Sequence, residues 1–234
     1  MNIAVIVAGG VGCRMGLSIP KQFVEVNNKP ILIYTLENFQ NNDDIDAIEV
    51  VCVEGWEDKL AEYVKEYNIT KVKWLITGGG SVQESIRKGI VNLKGHCADD
   101  DIIIIHDGIR PLVDSIVLTN VIEICNKYGN AVSSLPYNEQ IFIKKDEIST
   151  GEYIPREKLA RVMTPQAYRF KKLFDCYETA FEKEIGIYGS SYTNTMMVEL
   201  GETLYFAEGS DKNIKLTTPA DLELFRAYIR MEDK

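Results

Sequence analysis

The sequence predicts an α/β fold, a parallel sheet covered by helices, and three observations lead there. Five short runs rich in β-branched residues, 3–7, 48–53, 72–76, 102–105 and 131–135, are almost continuously apolar, as strands buried on both faces are. Segments with helical spacing of apolar residues, 31–39, 56–67, 82–93 and 115–128, lie between them. Strand and helix therefore alternate, the order that builds a parallel sheet with crossover helices. The chain has 234 residues, 45% of them hydrophobic. That suffices for one substantial core, and residues 1–234 are read as a single domain.

The first strand leads into Ala8-Gly9-Gly10. Its apolar run is too short to span a bilayer and lacks a basic flank, so neither a signal peptide nor a membrane span is expected there, and the protein is expected in the cytoplasm. At about 137–160 the chain becomes polar and alternating, with few helix signals. A structureless loop of that length is uncommon inside a compact domain, so the segment is read as a β-hairpin or extended arm that packs on a second subunit. At the other end, Thr218, Pro219 and Asp221 precede an apolar-periodic stretch at 222–231. Thr as N-cap, Pro in the first helical position and Asp in the first turn predict a helix start.

A net charge of −9 and a pI near 4.9 argue against a nucleic-acid binder, which needs a basic surface for phosphates. Any anionic ligand must be met by a local concentration of Lys and Arg. The five cysteines, at 13, 52, 97, 125 and 176, include no C-x-x-C pair and read as reduced thiols.

Chemistry concentrates in a few places. The first strand runs into Gly9-Gly10-Val11-Gly12-Cys13-Arg14-Met15, followed by Pro20-Lys21-Gln22. Glycines let backbone N–H groups approach a polyphosphate, and Arg14 and Lys21 add positive charge. The spacing matches neither a P-loop nor the G-x-G-x-x-G fingerprint. Asp107 follows the run 102–105 and His106, placing a carboxylate at a strand's C-terminal end, where open α/β sheets bind ligands. His106 reads as a packed or hydrogen-bonded histidine without a chemical role.

These segments, with G-G-G-S-V-Q-E-S-I-R-K-G at 78–89, H-D-G-I-R-P at 106–111, I-P-R at 154–156, T-P-Q at 164–166, Y-T-N at 192–194 and N-I-K-L-T-T-P-A-D-L at 213–222, resemble a known family. It comprises cytidylyltransferases acting on methylerythritol phosphate in isoprenoid biosynthesis and, in a sister branch, on ribitol phosphate in surface polysaccharide biosynthesis. The resemblance implies a Rossmann-like nucleotidyltransferase sheet with a protruding β-arm that makes a homodimer. It implies CTP and a small polyol phosphate as substrates, with no nucleic-acid or membrane partner, and Mg²⁺ as cofactor with Asp107 as its ligand. Arg14, Lys21 and Lys215 take the catalytic positions. Ala8, Gly9, Gly10 and Gly12 match the triphosphate cradle, and Gly79, Gly80 and Ser85 the part that recognises cytosine. Asp107, Arg110, Arg156, Thr164 and Thr193 match the acceptor side, with Arg156 on the arm and so within reach of a partner subunit's site.

The sequence departs from the family's pattern at Val82, where arginine is usual, at Gly80, where a polar residue is usual, and at Asn194, where aspartate is usual. The I-P-R loop, and the lack of an Asp-Thr pair at 136–141, lean toward the polyol branch. The expected acceptor is ribitol 5-phosphate or a similar sugar-alcohol phosphate; the alternative is 2-C-methyl-D-erythritol 4-phosphate. The departures also leave room for an inactive nucleotide-binding relative. A glycosyltransferase is disfavoured because Asp99-Asp100-Asp101 reads as a solvated turn and not as a D-x-D metal triplet.

Overall fold

A computed structural model describes residues 1–10, 19–189 and 192–232. The expectations for Gly12 and Arg14 lie outside the described residues. The chain opens with β1 (Asn2–Ala8), resumes in a 3-10 turn (Lys21–Phe23) and the short hairpin β2 (Glu25–Val26) and β3 (Lys29–Pro30), and enters α1 (Ile31–Gln40). Then follow β4 (Ala47–Cys52), α2 (Glu57–Glu66), β5 (Val72–Thr77), α3 (Val82–Asn92), β6 (Ile102–Asp107), α4 (Ser115–Tyr128) and β7 (Asn130–Pro136). The last part holds β8 (Ile141–Lys144), β9 (Thr150–Ile154), β10 (Ala160–Arg169), α5 (Phe170–Lys183), α6 (Thr193–Glu199), β11 (Phe206–Glu208) and α7 (Pro219–Glu232).

The main sheet has seven strands in the order β11-β7-β10-β6-β1-β4-β5. Its strands run in one direction except β10, which is antiparallel to both β6 and β7. The sheet is therefore mostly parallel, with β10 as its one antiparallel member among the described strands. Along β1 the side chains alternate between two cores, as strand geometry dictates. Ala4 and Ile6 pack with Leu32 and Leu36 of α1, Leu60 of α2 and Val121 of α4. Ile3 and Val5 pack with Ile86 and Ile90 of α3, Tyr177 of α5 and Met196 of α6. These side chains are essentially fully buried, each contributing roughly 1.5–3 kcal/mol for the larger aliphatics. A third cluster seats Phe225 and Ile229 of α7 against Ile31, Ile109 and Leu216.

Local sequence sets the element ends. Ser81 caps α3 by accepting the Glu84 N–H at 3.1 Å. Gly129 closes α4 in the left-handed region at φ 89°, a conformation open to glycine. The predicted start of α7 is a reciprocal cap: Thr218 Oγ1 accepts the Asp221 N–H at 3.2 Å, and the Asp221 carboxylate accepts the Thr218 N–H at 2.7 Å. The predicted arm is a separate two-stranded hairpin, β8 with β9, followed by a 3-10 turn at Arg156–Lys158. No helix among the described residues is long and apolar enough to cross a membrane.

Candidate active site

Asp107 ends β6 at the C-terminal edge of the sheet. Its Oδ1 accepts from the Lys215 ammonium at 3.0 Å, and its Oδ2 from Arg110 Nε at 2.9 Å. Burial alone would raise this carboxyl, but Lys215 and then Arg110 outweigh it and hold the group well below the usual carboxylate range. Arg110 is placed by the turn after β6, and its Nη1 donates to the Asn213 carbonyl at 2.8 Å. The Asn213 amide in turn donates to the Thr164 carbonyl at 2.7 Å. Leu216 N–H donates to the Ile109 carbonyl at 2.9 Å, so Lys215 is held between the bonds made at Asn213 and Leu216 and just ahead of the α7 cap. Thr164 comes from a register shift in β10 between Met163 and Gln166. Out of the ladder there, its hydroxyl accepts the Asp107 N–H at 3.2 Å.

His106, one residue earlier, faces the core with no exposed surface. Its Nε2 lies 3.2 Å from the Arg110 carbonyl and Phe39 lies against the ring. Burial pushes it down to about 4, against the pull of Asp107, so it is neutral at pH 7. It is the packed, hydrogen-bonded histidine that the sequence suggests.

The neighbouring half of the edge is built from backbone. Ala8 ends β1, and the buried Gln22 amide donates to the carbonyls of Ala8 at 2.6 Å and Gly10 at 3.0 Å, tying the Pro20-Lys21-Gln22 turn to the glycine loop. A Cβ on Gly78 would lie 2.9 Å from the Ser85 hydroxyl and 3.2 Å from the Cys52 carbonyl oxygen, and one on Gly9 3.0 Å from that hydroxyl. Glycine is needed at both places because the two loops close on Ser85. The Ser85 hydroxyl accepts the Gly79 N–H at 2.9 Å and donates to the Ser81 carbonyl at 2.8 Å. Gly80 N–H donates to Glu84 at 2.7 Å. Ser85 therefore shapes the loop that carries Gly79 and Gly80.

A cavity of about 290 Å³ joins Asp107, Arg110, Thr164 and Lys215 to Thr193, Asn194 and Tyr192 of the α6 start and to Val82 of α3. Thr193 is anchored through a buried chain, its hydroxyl 2.7 Å from the Tyr177 phenol, which donates to Gln83 Oε1 at 3.0 Å. Arg156 does not line this cavity. It stands on the arm with its side chain 61% exposed, near Glu157. Sequence reasoning assigned no role to Gln22, Asn213 or Tyr192, although each lies within a motif quoted above; what it lacked was the partner each one meets.

A strand-end carboxylate gripped by two cations therefore stands at the C-terminal edge of an α/β sheet, beside two glycine loops that close on Ser85, the edge where such sheets bind ligands. Residues 2–231 match the family described as IspD, 2-C-methyl-D-erythritol 4-phosphate cytidylyltransferase. The chain is 58% identical over 233 residues to ribitol-5-phosphate cytidylyltransferase of Lacticaseibacillus paracasei, covering 100% of both chains. It is 37% identical over 225 residues to 2-C-methyl-D-erythritol 4-phosphate cytidylyltransferase of Clostridium botulinum, covering 95% of each. The solved 4-diphosphocytidyl-2C-methyl-D-erythritol synthase from Anaerococcus prevotii superposes with a TM-score of 0.83 at 21% identity, over 98% of this chain and 96% of that one, a likeness of fold. The chain belongs to the IspD family of cytidylyltransferases.

Proposed function

We propose that this enzyme transfers CMP from CTP to ribitol 5-phosphate and releases pyrophosphate, as a step in building a surface polysaccharide. The reading rests above all on the whole-length likeness to a protein named ribitol-5-phosphate cytidylyltransferase. A phosphate oxygen of the acceptor attacks the α-phosphorus of CTP in line, and the bond to pyrophosphate breaks with its electron pair leaving on pyrophosphate. Lys215 and Arg110 bear on the negative charge that gathers there, together with Lys21 and Arg14. Asp107 keeps the Lys215 ammonium in place at 3.0 Å. Ala8, Gly9, Gly10 and Gly12 receive the triphosphate, Gly79, Gly80 and Ser85 form the cytosine side, and Thr164 and Thr193 offer neutral donors to the acceptor.

Asp107 is also the residue that would hold Mg²⁺. Among the described residues no group of three His, Cys, Asp or Glu side chains is placed to bind a metal. One strand-end carboxylate bordering the cavity fits an ion that takes one or two carboxylates and fills its shell with phosphate oxygens and water. Bound there, the ion would neutralise phosphate charge. The β8–β9 arm serves a homodimer in the cytoplasm and carries Arg156 to the partner's acceptor site. Exposed Phe142, Ile148 and Tyr153 on the arm, and the position of Arg156 outside its own chain's cavity, support this.

The test is pyrophosphate release with Mg²⁺, crossing CTP, UTP, ATP and GTP with ribitol 5-phosphate, glycerol phosphates and 2-C-methyl-D-erythritol 4-phosphate. Release that requires CTP and ribitol 5-phosphate is the expected result. Methylerythritol phosphate as the best acceptor would move the enzyme to isoprenoid synthesis, the reading favoured by the Clostridium botulinum relative. No release from any pair would make it an inactive relative.

A further inference from the structure

Two cavities meet at the start of α3. One is the catalytic cavity, which holds Asp107, Arg110, Thr164 and Lys215. The other, of about 460 Å³, is lined by Gln83, Glu84, Glu184 and Tyr188 among others. Val82 and Tyr192 line both and so stand on the divide between them. Their side chains are large, apolar in body and 46% and 47% exposed.

The polar atoms around Tyr192 are largely engaged. The Thr193 hydroxyl meets the Tyr177 phenol. The Thr195 hydroxyl accepts the Tyr192 N–H at 2.8 Å and donates to the Tyr192 carbonyl at 2.9 Å. Asn194 Oδ1 accepts the Thr195 N–H at 2.9 Å, which leaves Asn194 its amide hydrogens. The Tyr192 ring centroid lies 5.7 Å from the Lys215 ammonium, within cation–π reach. Tyr192 thus brings an aromatic ring that carries a hydroxyl to the cavity that also holds Arg110 and Lys215.

We propose that Tyr192 binds the acceptor and sets its preferred length, the ring packing on the carbon chain and the phenol exchanging a hydrogen bond with a hydroxyl beyond the phosphate. This rests on the transfer reaction proposed above. A polyol phosphate anchored at Arg110 and Lys215 must run its chain out along the cavity. C–H faces and hydroxyls alternate along that chain, and an amphipathic tyrosine meets both. A three-carbon polyol phosphate engages the cations but gains little from Tyr192.

Pyrophosphate release by wild type and Tyr192→Phe is measured against ribitol 5-phosphate, with glycerol 3-phosphate as a competing ligand. The variant is expected to raise KM for ribitol 5-phosphate about 5- to 10-fold, the loss of one neutral hydrogen bond, with kcat within about twofold. The KM for CTP and the inhibition constant of glycerol 3-phosphate stay unchanged. An unchanged KM for ribitol 5-phosphate, or an equal weakening of both phosphates, overturns the assignment. A wild type that does not use ribitol 5-phosphate overturns the reaction and this inference with it, whereas a working wild type with an indifferent variant overturns the inference alone.

Discussion

The two halves of the site are made in opposite ways. The proposed acceptor half is an assembly of side chains, with Asp107, Arg110, Thr164 and Lys215 drawn from β6, the turn after it, β10 and the approach to α7. The described part of the proposed nucleotide half depends on missing side chains, with Gly9 and Gly78 letting two loops close on Ser85. A site of charges is damaged by taking atoms away, and a site of backbone by adding them.

The sharpest way to break the contrast is at Lys215. Lys215→Ala should lower kcat by about 10²–10³-fold, as loss of one preorganised charge-stabilising group does; steady-state pyrophosphate release checks it. Asp107→Asn should reach stability as well, since it leaves Lys215 and Arg110, with side chains 28% and 14% exposed, without their counter-charge. About 2 kcal/mol is expected at pH 7. The wild-type carboxyl is held below its unfolded value, so its stabilisation is present above roughly pH 4 and fades as pH falls through the lower, folded value. Urea unfolding should therefore show wild type and variant converging in acid.

On the other half, Gly78→Ala should raise the KM for CTP about tenfold and leave the acceptor KM within about twofold, because the added methyl meets the Ser85 hydroxyl and the Cys52 carbonyl. A rise in both KM values would dissolve the distinction. The smallest effect lies behind this half, at Glu49. Burial pushes its carboxyl up to about 8, with the Asn92 amide acting the other way, and its Oε1 has no hydrogen-bond partner among the described residues. The folded state holds that proton more tightly than the unfolded chain, so stability declines as pH rises from about 4.5 toward 8. Glu49→Gln removes that decline and should be about 1 kcal/mol more stable than wild type at pH 8, with the gap closing near pH 5 in paired urea melts.

Much of this was legible in the chain. Buried parallel strands write themselves as apolar runs, and β1, β4, β5, β6 and β7 lie where those runs predict. The β10 strand does not, because its first residues Ala160, Arg161 and Val162 are exposed, Ala167 and Tyr168 are buried, and Thr164-Pro165 interrupts the alternation. The α5 helix carried a usable signal, since Phe170, Leu173, Tyr177 and Ala180 are its buried face at helical spacing. Motifs pointed to Asp107 and Lys215 separately; their ion pair spans 108 positions in sequence and no local pattern encodes it. Ser85 drew notice in the sequence through its motif, but its bonds to Gly79 and Ser81 depend on how two loops fold back.

The insertion of β10 between β6 and β7 also sets a timetable for the chain as it is made. The block β5-β4-β1-β6 can assemble once residue 107 has emerged, yet the outer edge of β6 has its partner only when Ala160–Arg169 follows. Through that interval the nascent protein presents an open, all-isoleucine strand edge, Ile102 to Ile105, of the kind that pairs with other chains. The arm at 141–154 is synthesised within the same interval, so any slowing of translation there lengthens the exposure of the strand that will carry Asp107.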